Sequence, residues 1–175
     1  MIELQLFEET DIDRLISWVK SPEFLLQWAG PVFTYPLDWD QLMKHLEGAK
    51  GKNPKRIVYK AVDTETEKVV GHIEWNNIDR ENRSATISRV LAAPDARGKG
   101  IGTAMINEMV RIGFEEFNLH RIELRVFDFN QSAIKCYEKA GFKKEGILRE
   151  TSRFEDEYWS VYQMSMLENE WEGNR

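Results

Sequence analysis

Between Val90 and Thr103 the chain reads VLAAPDARGKGIGT: an apolar run, a proline, an arginine, then glycine at every second position, Gly98, Gly100 and Gly102, ahead of an amphipathic stretch. Glycines in such a turn admit positive φ and let backbone N–H groups approach a ligand with no Cβ in the way. A helix directly behind them adds its unpaired N-terminal donors and the positive end of its dipole. This order of residue types builds an anion site, and a diphosphate is its natural occupant. Spacing removes two forms of nucleotide site. A Walker loop needs GxxxxGK followed by Ser or Thr, whereas Lys99 stands between glycines and Ile101 follows Gly100. The dinucleotide fingerprint GxGxxG fails as well, because Thr103 occupies the place of its last glycine. What remains is RxxGxG, from Arg97 to Gly102.

A second segment, FDFNQSAIKCYEKAGF from Phe127 to Phe142, places Asn130 at a helix N-cap, Tyr137 seven residues on and two turns up the same face, and Gly141 at the helix end. The two segments, in this order and at this separation, resemble the GNAT superfamily of N-acetyltransferases, in the branch that contains the spermidine and ribosomal-protein N-terminal acetyltransferases. The resemblance runs from about Ser84 to Leu167, and the residues before it share only the outline. It implies acetyl-CoA as cosubstrate, without a metal. The pyrophosphate would lie on Arg97, Gly98, Lys99, Gly100, Ile101, Gly102 and Thr103, and the pantetheine amides would pair with the backbone of Val90, Leu91 and Ala92. Asn130 would add a side-chain contact, and Tyr137 would point at the thioester sulfur. A phenol there can donate to the departing thiolate as a general acid. Plainer readings stand beside these: Lys99 as an exposed loop lysine, Asn130 as a cap alone, Tyr137 as packing against Ala133 and Ile134.

Attack on a thioester needs a neutral amine, so a proton must leave the acceptor. In some relatives the base is a glutamate five residues before the motif asparagine; that position is Arg125 here. Glu74 and Glu123 are the substitutes, with water as a third route. Glu74, in GHIEWNN, is the first choice, because apolar and aromatic neighbours on a central strand would raise its pKa. Cys136 suggests an acetyl-cysteine intermediate, but it points away from Tyr137 and has no nearby histidine in sequence, so a bland thiol is the simpler reading. His72 and His120 read as structural, and no histidine and carboxylate spacing suggests a metal. Trp28, Phe33, Tyr35 and Trp39 could wall an acceptor pocket or simply pack a loop. That loop holds no run of acids to match a polyamine.

The elements that must position these residues follow from periodicity. Ile2 to Phe7 alternates like a strand, and Thr10 or Asp11 can cap a helix with Ile12, Leu15, Ile16 and Val19 inward, ended by Pro22. An aromatic loop, FLLQWAGPVFTYPLDW, then leads to a helix with Asp38 as N-cap, Gln41 as capping-box partner and Leu42, Met43 and Leu46 buried. Arg56 to Asp63, Val69 to Ile78 and Ser84 to Ala92 read as an antiparallel meander. Behind the glycine loop, Met105, Ile106, Met109, Val110, Gly113, Phe114 and Phe117 form one helical stripe. Arg121 to Phe127 is the next strand, and Phe142 to Phe154 with Tyr158 to Leu167 close as a hairpin. The expected fold class is α/β: a mixed, mainly antiparallel sheet flanked by helices, in which the resemblance implies splayed central parallel strands.

The 175 residues, 42% hydrophobic and without repeats or linkers, suit a single domain over 1–175. The acidic start, MIELQLFEETD, offers no export signal, and one cysteine excludes an internal disulfide, so a cytoplasmic setting is expected. No apolar run is long enough for a membrane span. A net charge of −6 argues against nucleic acid as a partner and is compatible with a cationic acceptor. The expected activity is acetyl transfer from acetyl-CoA to a primary amine, on a small molecule or a peptide, by direct attack in a ternary complex. A non-catalytic acyl-CoA sensor on the same fold is the alternative. A homodimer is compatible with the resemblance, although no apolar stripe names its interface.

Overall fold

The alternating segments pair into one seven-stranded sheet in the computed structural model, which describes residues 1–171. β1 (Ile2–Leu6), β2 (Ile57–Asp63), β3 (Lys68–Asp79) and β4 (Ser84–Ala92) form the antiparallel meander. β5 (Arg121–Phe127) follows β4, and the hairpin of β6 (Lys143–Phe154) and β7 (Glu157–Leu167) completes the order β1-β2-β3-β4-β5-β7-β6. Only β4 and β5 run parallel, since α4 (Ile101–Arg111) carries the chain back across the sheet between them. Their pairing covers Ser84 to Thr86 against Arg121 to Glu123 and then stops. β4 stays bonded to β3 as far as Ala92, and β5 stays bonded to β7 as far as Phe127, so the sheet opens between β4 and β5.

Each face of the sheet has its own core. α4 and α5 (Gln131–Ala140) cover one face with Met105, Ile106, Met109, Ile134 and Tyr137 packed on Ile73, Trp75, Ile87 and Ile122. α1 (Ile12–Trp18), α2 (Pro22–Ala29) and α3 (Trp39–Glu47) cover the other, where Ile12, Leu15, Leu25, Trp28 and Leu42 meet Phe7, Val58 and Leu91. Burying each of these large apolar side chains stabilises the fold by about 1.5–3 kcal/mol.

Five local expectations are corrected. Pro22 does not merely end a helix. α1 stops at Trp18, and Pro22 opens α2 at its first turn, with Ser21 Oγ accepting from Phe24 N at 3.1 Å, so the first part of the expected aromatic loop, Phe24 to Ala29, is helix. Asp11 stands before α1 without capping it: its carboxylate accepts from Glu8 N (2.9 Å), Arg14 Nη1 (2.6 Å) and Lys60 Nζ (2.9 Å). Asp38 does cap α3, but Gln41 turns to Thr34, accepting from its N–H at 2.8 Å and donating to its carbonyl at 3.0 Å. Met43 and Leu46 are only half-buried, while His45 goes inward. The stripe behind the glycine loop is α-helical only to Arg111, and Ile112–Glu116 forms a π-turn.

Candidate active site

The glycine loop closes β4 and starts α4. Gly98 (φ +75°) and Gly100 (φ +78°) adopt the left-handed region, and a Cβ at either would meet nothing within 4 Å, so both face open space. Gly100 is the N-cap of α4 with no side-chain bond to the helix, which leaves the amides of the first turn free for a ligand. Arg97 and Lys99 are exposed, and the Arg97 guanidinium lies over the Phe24 ring at 5.3 Å, tying the loop to α2. An anionic group held by backbone amides fits this cradle, and the opening between β4 and β5 leads away from it along Val90 to Ala92.

α5 stands on the far side of the opening. Asn130 caps it, its Oδ1 accepting from Ala133 N at 3.3 Å and from Ser132 Oγ at 3.2 Å. Tyr137 is buried at 8% exposure, with its ring edge-on to Phe142 at 6.3 Å. Burial, with a contribution from Cys136, pushes the phenol above its usual range, so it keeps its proton throughout the physiological span. Cys136 Sγ lies 3.3 Å from Thr103 Oγ1, between α5 and the first turn of α4.

The other face holds a polar cluster that the sequence did not announce. Glu74, at 1% exposure, accepts from His45 Nε2 (2.9 and 3.1 Å), His72 Nε2 (2.9 Å), Asn76 Nδ2 (3.2 Å) and Arg89 Nη1 (2.9 Å). A carboxylate accepts only, so both histidines present an Nε2 hydrogen to it. Burial alone would raise its pKa, but the bonds from His45 and His72 and the charge of Arg89 outweigh it and hold the carboxyl well below its ordinary value. The expectation of a base with a raised pKa is therefore overturned: the neighbours are donors, and every oxygen is engaged. Nor are Glu74 and Tyr137 brought together, because they lie in different cores on opposite faces of the sheet. Glu123 is also engaged, accepting from Arg121 Nη2 at 2.8 Å and Thr86 Oγ1 at 3.3 Å. Arg125 is exposed and donates to Gln163 Oε1 at 2.9 Å, and His120 pairs with Glu168 on the surface.

Arg89 and His45 are the residues sequence reasoning missed. From His72 to Glu74 β3 takes two steps while β4 takes three, from Leu91 back to Ser88, so β4 bulges there and Arg89 adopts φ +51°. The readable signal was the polar period-two series His72, Glu74, Asn76 on a central strand, which marks a buried polar face. His45 comes from another element 29 residues away and left no such trace. Of the four aromatics, Trp28 and Phe33 stack in the core at 6.2 Å, whereas Tyr35 and Trp39 are about two-fifths exposed.

Comparison with known proteins agrees with this geometry. The family model described as "Acetyltransferase (GNAT) family" matches residues 14–142. An uncharacterized N-acetyltransferase, p20 of Bacillus licheniformis, is 30% identical over 98% of this chain and 96% of its own. The spermidine N(1)-acetyltransferase of Vibrio cholerae is 32% identical over 63% of each chain. The crystal structure of a spermidine N-acetyltransferase from Vibrio cholerae with CoA and spermine superposes with a TM-score of 0.85 at 25% identity, covering 97% of this chain and 96% of that one. The chain thus belongs to the acetyltransferase (GNAT) family, and it is an N-acetyltransferase that moves an acetyl group from acetyl-CoA to an amine.

Proposed function

We propose that the acetyl group passes directly from the thioester to a primary amine, carried by a small molecule or a peptide, with both substrates bound at once. The carrying observation is the opening of the sheet between β4 and β5, with Tyr137 on the α5 side and α1 to α3 on the other. Backbone amides of Arg97 to Thr103 hold the pyrophosphate, Val90 to Ala92 align the pantetheine arm, and Asn130 adds a contact beside its capping role. Tyr137 donates to the sulfur as the C–S bond breaks, and the amine enters from the opposite face. Its proton leaves to water, since Glu74 and Glu123 are both engaged by donors. Cys136 is left out of the reaction, because it bonds Thr103 rather than a base. The protein works in the cytoplasm on this reading. Among its described residues no helix is long and apolar enough to cross a membrane. A second copy would add along β6, an edge strand of the sheet that is exposed over most of its length.

Thiol release from acetyl-CoA over an amine panel tests this reading. Intersecting initial-rate lines and no acetylated enzyme by mass spectrometry are expected. Parallel lines with a trapped acetyl-Cys136 would replace direct transfer by a two-step route.

A further inference from the structure

The cluster around Glu74 carries more hydrogen-bond donors than the protein uses. Arg89 reaches Glu74 through Nη1 alone, and the same nitrogen donates to Ser88 Oγ at 3.0 Å. Its Nε is buried without a partner, and so is the indole Nε1 of Trp28; against these two donors stands one unpartnered acceptor of the cluster, His72 Nδ1. On a guanidinium, Nε and Nη2 share one edge with near-parallel N–H bonds, the fork that receives a carboxylate through two hydrogen bonds. With Nη1 tied down, that edge of Arg89 is fixed in direction and has no protein partner. The side chain is 9% exposed and Nε itself is shut off from solvent, so the fork is largely desolvated.

Its position is that of an acceptor site. Arg89 is the bulged residue of β4, immediately before Val90, on the rim of the opening between β4 and β5. α2 crosses the same face, with Phe24 under Arg97 of the glycine loop and Trp28, one turn further on, edge-on to His72 at 5.6 Å. Charge points the same way. The single carboxylate of Glu74 faces Arg89, while Arg56 lies behind it, donating through Nε to Asn76 Oδ1 at 2.7 Å. One negative and two positive side chains leave a cationic site. A polyamine is a donor throughout, would leave Arg89 Nε and Trp28 Nε1 unsatisfied, and would meet like charge. Between Ser21 and Asp38 the only acids are Glu23 and Asp38, both exposed, with Asp38 occupied in capping α3.

We propose that Arg89 sets acceptor specificity by binding a carboxylate on its Nε/Nη2 edge, with the Trp28 indole N–H as an additional donor, so that the acceptor is an amine bearing a carboxylate, of amino-acid type. This rests on the acetyl transfer assigned above and names its substrate class. The test uses matched trios: leucine, tryptophan and lysine, each against its methyl ester and its decarboxylated amine, with spermidine alongside. At least one free acid should exceed its ester and amine in kcat/KM by roughly 10- to 100-fold, the contribution of hydrogen bonds to a charged group. Arg89→Lys keeps a cation beside Glu74 but lacks the fork. It should erase that preference through the acceptor KM, with the KM for acetyl-CoA and the melting temperature nearly unchanged. Binding of the N-acetyl amino acids, followed by calorimetry, reads the carboxylate site without turnover. Turnover with equal or better rates for spermidine and the decarboxylated amines would overturn the carboxylate site and leave acetyl transfer standing. N-acetyl amino acid binding that Arg89→Lys abolishes, without turnover of any amine, would keep the site and overturn the transfer reading. A rise in the acetyl-CoA KM alone in Arg89→Lys would assign the fork to the coenzyme and overturn the proposal.

Discussion

At the scale of single residues, Tyr137 and Glu74 show how environment separates two groups that sequence reasoning placed in one mechanism. Tyr137 is packed among Ile134, Phe142 and the α4 core, and burial keeps its phenol protonated. On the proposed mechanism that makes it a permanent donor for a sulfur gaining negative charge, and not a titrating switch. Tyr137→Phe keeps the ring and its packing and removes only the hydroxyl. The steady-state rate on a responsive amine should fall by roughly 10²- to 10⁴-fold, with acetyl-CoA affinity and melting temperature little changed. A variant at full rate would remove the phenol from the reaction. Glu74 is the reverse case: a carboxylate surrounded by His45, His72, Asn76 and Arg89 is a fixed charge that directs its neighbours.

At the scale of elements, the glycine loop and the helix behind it depend on two glycines for different reasons. Gly100 needs its positive φ and an open side toward the ligand. Gly100→Val adds no clash inside the protein, so the domain should fold with a modest loss of about 1–3 kcal/mol from backbone strain. Its thermal shift with acetyl-CoA should vanish, and a folded variant with unchanged affinity would sink the pyrophosphate assignment. Gly113, in the π-turn after α4, is needed for close approach: a Cβ there would sit 2.6 Å from Ile122 Cδ1 and 3.1 Å from Trp75 Cη2. Gly113→Ala should cost about 1–3 kcal/mol by overpacking, measured by urea unfolding, with acetyl-CoA affinity retained. Elements of this kind were legible where one local pattern decides. β5 shows it, as do the Asp38 cap of α3 and the Asn130 start of α5. The π-turn and the tie of Asp11 to Lys60 were not legible, because Gly113 packs against Ile122 and Trp75 and Asp11 bonds Lys60, partners that the fold and not a local pattern brings up. α2 was missed for another reason. Pro22 is compatible with both a helix end and a helix start, and only the Ser21 bond to Phe24 distinguishes them.

At the scale of the whole molecule, one sheet separates two cores, and the buried charges of the face proposed above as the acceptor side tie stability to pH. Glu74 is held below its ordinary value of 4.5, since the bonds from His45 and His72 and the charge of Arg89 outweigh the burial that would raise it. Asp11, also raised by burial alone, is held below 3.8 by Arg14, the Glu8 amide and Lys60. A carboxyl with a depressed folded pKa takes up its proton more readily in the unfolded chain. Its contribution is therefore fully present above the ordinary carboxylate range and is lost as pH falls through the folded value. Urea unfolding should show a decline in stability below about pH 5, where the unfolded chain binds more protons at these two carboxyls. Glu74→Gln separates one group from the rest. At neutral pH it removes the charge that compensates buried Arg89 and should cost about 3–5 kcal/mol, the loss expected when one partner of a buried ion pair is removed. Below the ordinary carboxylate range the wild type loses the advantage of that charge while the glutamine variant has none to lose. The two stability curves should converge in acid, and the variant's acid limb should be shallower by the one proton that Glu74 no longer takes up. Parallel curves from pH 7 to pH 3 would mean that the Glu74 charge does not hold the acceptor side together, and that its hydrogen-bonding shape, which glutamine retains in part, is sufficient.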